Sequence, residues 1–374
     1  MPNLAITQNP TSWQAYKYHD IQVKLMQGWI SNNKLPNAIY VSGPTGVGKT
    51  SAISLLIKSI LCQRRKPGEY EPCGVCNTCK LDPRTAGAAN NVVWIQTGNA
   101  EATINAQVNY ALEEALQPPN GFAEEHRYWK FIVVDELQSV PRNTLQNLLF
   151  YPELNDVVQR NRVIFIFITM EESRLDPVVR SALAGRCERL YFKALTKHQL
   201  QEFLIEIKPD IPKDSLEMLA LASNGSIRDA LNRLDTCSQI DPLLNPITVA
   251  DVLYFADAKT RQTLWELLEA CESRTKQAYS QLWEFWKGLA ERVDTETLLM
   301  QMDEDIDKSL LIDPKEEQLI ARHIIYTHHI SRAKCNTWDV VKQLAGRKII
   351  NTDIFKLFSE PASGLNRLLG VELH

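Results

Sequence analysis

The sequence predicts an α/β fold in which a parallel sheet carries helices on both faces and is followed by helical segments only. Five short apolar runs lie in the first half of the chain, at Ala38–Val41, Val92–Ile95, Phe131–Val134, Val163–Ile168 and Leu190–Phe192. Such runs are typical of strands buried on both faces of a parallel sheet. Apolar residues at helical spacing lie between them, as in Ser51–Leu61, which indicates alternating strands and helices.

Beyond Lys193 the pattern predicts helices throughout. The three nearest are expected at Lys197–Ile207 after Thr196, at Leu216–Ala222 after Asp214-Ser215, and at Ile227–Ser238, where Ser226 and Asp229 resemble a capping box. Helical patterns continue from Thr248 to His374. The sequence therefore predicts three domains: an α/β module over residues 1–193, a small helical domain over 194–245 and a larger helical domain over 246–374.

Composition limits the classes of protein that fit. The 374 residues are 44% hydrophobic and 23% charged, as in an ordinary globular protein. The net charge of −4 argues against a protein that coats nucleic acid by bulk electrostatics, so any DNA contact would need a local patch or a surface formed by several subunits. No signal-peptide pattern and no membrane-length apolar window is visible, which predicts a cytoplasmic protein with no membrane partner.

A glycine-rich phosphate-binding motif lies between the first predicted strand and the helix after it. The motif G-x-x-x-x-G-K-[ST] is matched by Gly43, Pro44, Thr45, Gly46, Val47, Gly48, Lys49 and Thr50, and Ser51 follows. In such a loop the backbone N–H groups point at phosphates, Lys49 would reach the β- and γ-phosphates, and Thr50 would bind Mg²⁺. The alternative is a chance glycine-rich turn, but the strand–helix context favours an ATP site.

Two carboxylates end the third predicted strand. Asp135 and Glu136 directly follow the apolar run Phe131–Val134, which places them at the edge of the sheet where ligands of open α/β folds bind. Asp135 would bind Mg²⁺ and Glu136 would act as general base toward water. Alone, the pattern usually marks only the end of a strand; after a phosphate loop it predicts ATP hydrolysis.

Three further polar residues are candidates near a γ-phosphate. Thr169 ends the fourth strand, where it either orients water or merely terminates the strand. Arg186 precedes the last strand, and an arginine is the group that neutralises a transferring phosphoryl, although most arginines are only solvated. Arg228 lies in the first turn of a helix, an unfavourable place for a cation that hints at an anionic partner.

Four cysteines are clustered directly after the phosphate-loop helix. Cys62, Cys73, Cys76 and Cys79 offer enough thiolates to close a tetrahedral Zn²⁺ site with no open position, so such a site would be structural. Unrelated buried thiols and an iron–sulfur cluster are the alternatives. The spacing favours a zinc module over residues 62–79.

Together these motifs resemble the gamma/tau subunits of the bacterial DNA polymerase III clamp loader, which are AAA+ ATPases. The resemblance spans roughly residues 9–240 and rests on Gly46–Ser51, Pro72–Cys76 with Cys79, Asp135-Glu136, Arg186-Cys187 and Gly225–Leu231. It implies an AAA+ module followed by a helical lid and a C-terminal collar, in a divergent short form.

The resemblance also implies roles for single residues. Arg186 matches the finger that reaches the ATP of the adjacent subunit, Arg228 matches the second sensor on the lid, and Thr169 falls at the first sensor. Gly185 stands where the family has a serine. The cofactors implied are ATP, Mg²⁺ and Zn²⁺.

The sequence thus favours a motor subunit that binds and hydrolyses ATP to open a ring-shaped sliding clamp and load it on primed DNA. Its implied partners are other clamp-loader subunits in a pentamer-like assembly, the sliding clamp and primer–template DNA. The alternative is an AAA+ scaffold or regulator with little hydrolysis, such as a clamp-loader small subunit, or a transposition or helicase-loading ATPase.

Overall fold

The structure is a computed structural model of the 374-residue chain. It describes residues 4–85, 91–97, 101–119, 129–141, 143–145, 148, 161–170 and 172–256, and parts of the stretch 260–301. Most of the predicted collar therefore lies outside the described residues. Among the described helices, none combines the length and apolar character needed to cross a membrane.

A five-stranded parallel sheet lies in the part of the chain before residue 193. Its strands are β1 (Ala38–Ser42), β2 (Val92–Gln96), β3 (Lys130–Asp135), β4 (Val163–Thr169) and β5 (Glu188–Tyr191). Their spatial order is β2-β3-β4-β1-β5, with parallel pairing throughout. All five predicted strands are confirmed, and the parallel α/β class with them.

Helices flank and follow this sheet. Those before the last strand are α1 (Leu4–Thr7), α2 (Asp20–Asn32), α3 (Lys49–Leu61), α4 (Asn77–Lys80), α5 (Glu101–Ala115) and α6 (Pro177–Arg186), with 3₁₀ turns at Leu137–Ser139 and Glu172–Arg174. Those after it are α7 (Lys197–Ile207), α8 (Lys213–Ala222), α9 (Ile227–Ile240), α10 (Pro246–Val252) and α11 (Lys276–Ala290). The described part of the chain after residue 193 contains no strand, as expected.

The core lies on both faces of the sheet, which explains why the strand sequences are apolar rather than alternating. Strands β1 and β4 are buried along their whole length. On one face Tyr40, Ile132 and Phe165 pack with residues of α5 and α6. Helix α3 buries most of its own length and packs against α2.

The described residues divide into two compact units. The first lies within Met1–Thr196 and Gly225–Asn232, and the second within Lys197–Asn224 and Arg233–His374. The start of α9 therefore belongs with the α/β unit, and α7, α8 and α10 belong with the helical unit. The three domain ranges inferred from the sequence stay predictions.

Candidate nucleotide and metal sites

The phosphate loop joins the carboxyl end of β1 to the amino end of α3. Two of its glycines allow close approaches that no other residue could make. Gly46 has φ +75°, and a Cβ built there would lie 2.0 Å from Ser226 Oγ. Gly48 has φ +101°, and its Cβ would lie 2.8 Å from the Tyr16 hydroxyl. The loop thus needs glycine both for its backbone conformation and for the segments packed on it.

Lys49 is the first residue of α3 and its side chain is buried. Its ammonium donates hydrogen bonds to the carbonyl oxygens of Gly43 at 2.6 Å and Pro44 at 2.5 Å. Burial lowers the pKa of Lys49 to about 8; the Asp135 carboxylate opposes this shift, and the Arg228 guanidinium adds to it. The Lys49 ammonium is therefore held against the phosphate loop, where it is expected to bind phosphate.

Asp135 ends β3 and Glu136 follows it, at the same edge of the sheet as the phosphate loop. Glu136 has φ +55°, and its N–H donates to Asp135 Oδ1 at 3.0 Å. Burial raises the pKa of Asp135, and the Glu136 carboxylate adds to the rise, whereas the N–H of Glu136 and the Lys49 ammonium lower it. Glu136 thus takes the left-handed conformation directly after β3, and its carboxylate interacts electrostatically with that of Asp135.

Thr97, which sequence reasoning missed, supports this turn from the neighbouring strand end. It is buried, and its Oγ1 lies 2.9 Å from the carbonyl oxygen of Asp135 and 3.1 Å from that of Glu136. The register Gln96↔Asp135 places it there. The one available signal was the position of this polar residue, two places after the apolar run Val92–Ile95.

Thr169 ends β4, the strand between β3 and β1, so it lies between the two carboxylates and the phosphate loop at the sheet edge. Its side chain is buried, and Oγ1 donates to Gln138 Oε1 at 2.8 Å. Gln138 lies in the 3₁₀ turn that follows Glu136. Sequence reasoning missed Gln138 because no motif marks that position.

Arg228 lies over the phosphate loop. Its backbone N–H donates to the Gly46 carbonyl at 3.2 Å, and its Cβ lies 3.1 Å from the position of a Cβ at Gly46. Ser226 accepts a hydrogen bond from Asp229 N at 3.2 Å, as the capping pattern predicted. The exposed guanidinium of Arg228 thus belongs to the first turn of α9, whose backbone is hydrogen-bonded directly to the loop.

Arg186 lies at the other end of the sheet. It is the exposed last residue of α6, which returns the chain to the amino end of β5. The register pairs Glu188 with Ile39, four residues before Gly43, or about 13 Å along the strand. An arginine side chain is about as long as two extended residues, roughly 7 Å, so Arg186 does not reach the loop of its own chain.

The N-terminal segment 13–19, which contains no recognised motif, packs on the phosphate loop. The Tyr16 hydroxyl donates to the Gly48 carbonyl at 3.1 Å, and His19 Nε2 lies 3.1 Å from the Val47 carbonyl. Burial lowers the pKa of His19 and raises that of Tyr16. His19 also contacts Phe192 edge-on at 4.9 Å between ring centres.

The four clustered cysteines converge as their spacing predicted. The sulfurs of Cys62, Cys73, Cys76 and Cys79 all lie within 4.8 Å of one another, and none is in a disulfide. Sulfurs around a tetrahedral zinc ion lie about 3.8 Å apart for a Zn–S distance of about 2.3 Å. Hydrogen bonding with Cys79 lowers the pKa of the Cys62 thiol to about 4. The donor set fits a closed zinc site.

The residues at the sheet edge also fit a magnesium nucleotide. The loop backbone takes the positive φ values at Gly43, Gly46 and Gly48 that a phosphate-wrapping turn requires. Thr50 and Asp135 offer oxygen ligands of the kind that Mg²⁺ prefers. Lys49 supplies a positive charge that interacts with the Asp135 carboxylate.

Comparison with known proteins agrees with these features. A family model described as DNA polymerase III, delta subunit, matches residues 18–196. The gamma/tau subunit of Mycoplasma genitalium DNA polymerase III is 28% identical over 61% of this chain and 36% of its own length. The tau subunit of Bacillus subtilis is 28% identical over 57% of this chain and 35% of its own, and that of Escherichia coli 29% over 55% and 30%.

The chain spans about a third of the length of these curated relatives. The residues that the family model matches include the phosphate loop, the paired carboxylates and the cysteine cluster described above. The chain is therefore similar to DNA polymerase III subunits, most extensively to gamma/tau subunits, over more than half of its length.

Proposed function

We propose that this chain binds and hydrolyses ATP as a motor subunit of a sliding-clamp loader. The observation that carries the proposal is the arrangement at the sheet edge. The phosphate loop, Thr169 and Asp135-Glu136 lie at the carboxyl ends of three adjacent parallel strands, β1, β4 and β3. A ligand bound across these strand ends would meet all three groups, as in other open α/β sheets.

Bound ATP with Mg²⁺ would supply the transferable γ-phosphoryl group and the cation that neutralises its charge. The loop N–H groups would hold the phosphates, and Thr50 and Asp135 would hold the cation. Lys49 would exchange its two backbone carbonyls for phosphate oxygens, which is favourable for a buried ammonium. Glu136 would accept a proton from the attacking water, with Thr169 orienting that water.

Two arginines would act on this site from different chains. Arg228 would sense the γ-phosphate in its own chain, because its backbone is bonded to the loop. Arg186 would complete the site of the adjacent subunit, because its own loop is out of reach. The proposed active centre is therefore shared between subunits, which links ATP hydrolysis to assembly.

The proposed partners follow from the gamma/tau likeness. They are other clamp-loader subunits in a pentamer-like assembly, a ring-shaped sliding clamp and primer–template DNA. The helices after residue 193 would serve as the lid and, from about residue 246, as the collar that joins subunits. The cysteine module would hold Zn²⁺ in a structural role.

An ATP turnover assay tests this proposal against the alternative of an ATP-binding scaffold. The wild type is expected to hydrolyse ATP, and Glu136→Gln is expected to bind ATP but lose turnover. Glu113→Gln is the matched control, since it makes the same change at an exposed position on α5. Equal, negligible turnover in all three proteins would favour the scaffold and overturn the motor.

A further inference from the structure

A strap formed by residues 13–19 lies between the cysteine module and the phosphate loop. At one end the Glu71 carboxylate accepts hydrogen bonds from the backbone N–H groups of Trp13 and Gln14, each at 3.0 Å. At the other end Tyr16 and His19 contact the loop carbonyls of Gly48 and Val47. One short segment thus touches both candidate sites.

Glu71 accepts hydrogen bonds from residues that are distant in the sequence. It lies two residues before Cys73, inside the loop that the four cysteines close. Its two carboxylate oxygens nevertheless accept hydrogen bonds from Trp13 and Gln14, which precede it by 58 and 57 positions in the chain. Hydrogen bonds to a charged acceptor are stronger than neutral ones, and two of them fix orientation as well as distance. Glu71 therefore ties the position of the strap to that of the cysteine module.

Trp13 keeps the strap against the phosphate-loop helix. Its indole is buried, and Nε1 donates to Ser59 Oγ of α3 at 2.9 Å. Its ring also lies edge-on to Tyr16, at 6.2 Å between centres. Because buried side chains pack closely, a shift of Trp13 would be passed on to Tyr16 and hence to Gly48.

We propose that Glu71 is a positioning residue that couples metal binding by the four cysteines to nucleotide affinity at the phosphate loop. The inference rests on the proposed ATP site and zinc module, and adds a link between them. A metal ion on four thiolates stabilises the folded form of the segment 62–79. That segment then holds Glu71, the strap and the loop in the nucleotide-binding geometry. By linkage, nucleotide binding strengthens metal binding by the same factor.

The test measures ATP affinity in the intact chain with zinc bound and after zinc removal by a chelator, for wild type, Glu71→Gln and Glu69→Gln. Glu69→Gln is the matched control, because Glu69 is an exposed carboxylate of the same loop that accepts a hydrogen bond from its neighbour Lys66 N, at 3.4 Å. Wild type and Glu69→Gln are expected to bind ATP roughly tenfold more tightly with zinc. Glu71→Gln is expected to bind ATP with the weaker, zinc-free affinity of the wild type whether or not zinc is bound.

Two further readouts separate a positioning role from simple loss of structure. Zinc content of Glu71→Gln should equal that of the wild type, and hydrogen exchange at the Trp13 and Gln14 amides should be fast in this variant with or without zinc. In the wild type these amides should lose protection only when zinc is removed.

The failures are also distinguishable. A Glu71→Gln protein with the wild-type response to zinc overturns the coupling, as does a wild type whose ATP affinity ignores zinc. A wild type that binds no ATP overturns the proposed function itself, and one that binds no zinc overturns the metal module; either removes the basis of the coupling.

Discussion

Replacing Gly46 with alanine tests the contact between the phosphate loop and the start of α9 at Ser226. An alanine at φ +75° costs about 1–2 kcal/mol of backbone strain. Its Cβ would also lie 2.0 Å from Ser226 Oγ, although ordinary contacts are 3.4–4 Å. Ser226 caps α9, and losing a cap costs about 1 kcal/mol. The folded chain is expected to relieve the clash by separating the loop from Ser226.

Restoring the binding geometry would then cost about 2–3 kcal/mol, which weakens ATP binding roughly 30- to 150-fold. Calorimetric titration with ATP measures this, and urea unfolding shows how much of the cost appears as lost stability. Gly28→Ala is the control, since a Cβ there meets nothing within 4 Å and Gly28 lies within α2. If Gly46→Ala matches Gly28→Ala in both affinity and stability, the described contact between α9 and the loop is wrong.

Three other predictions test single parts of the site. ATP affinity is expected to fall as pH rises above about 8, because burial lowers the pKa of Lys49 to about 8 in the free protein while bound phosphate would keep the lysine protonated; a flat affinity profile from neutral to alkaline pH would contradict this. Arg186→Ala is expected to keep ATP binding but lose turnover by about 10³-fold, and full turnover would show that the finger lies elsewhere. Elemental analysis should find zinc in the wild type and in Cys187→Ser, and a loss of zinc in Cys76→Ser; an absence of zinc from the wild type would rule out the module.

The parts of the fold that depend on local pattern could be predicted from the sequence. The strand runs and the helix at Lys197–Ile207 were found as expected. Burial on both faces and helical packing each produce a recognisable order of apolar residues along the chain. Helix α8 differs, since it begins at Lys213 rather than Leu216. Ser215 was expected near its start, but its hydroxyl donates to the Leu244 carbonyl at 2.6 Å. That partner is distant in sequence, so no local signal reports it.

The candidate site likewise has residues that the sequence identifies and residues that it does not. The phosphate loop, Asp135 and Glu136 lie within short motifs, so the order of residue types along the chain is enough to locate them. Thr97 and Gln138 support the site through the strand order, which the sequence does not determine. The strap of residues 13–19 could not be predicted for the same reason, because its partners on the loop and near the cysteines are distant in the sequence.

The most direct test of the proposed clamp-loader function is ATP turnover by the assembled loader, with and without its sliding clamp and primed DNA, for wild type and Glu136→Gln. Clamp and primed DNA together are expected to stimulate the wild type strongly, and the variant is expected to show no turnover under either condition. Wild-type turnover that is indifferent to clamp and DNA, with the other loader subunits present, would contradict the clamp-loader function.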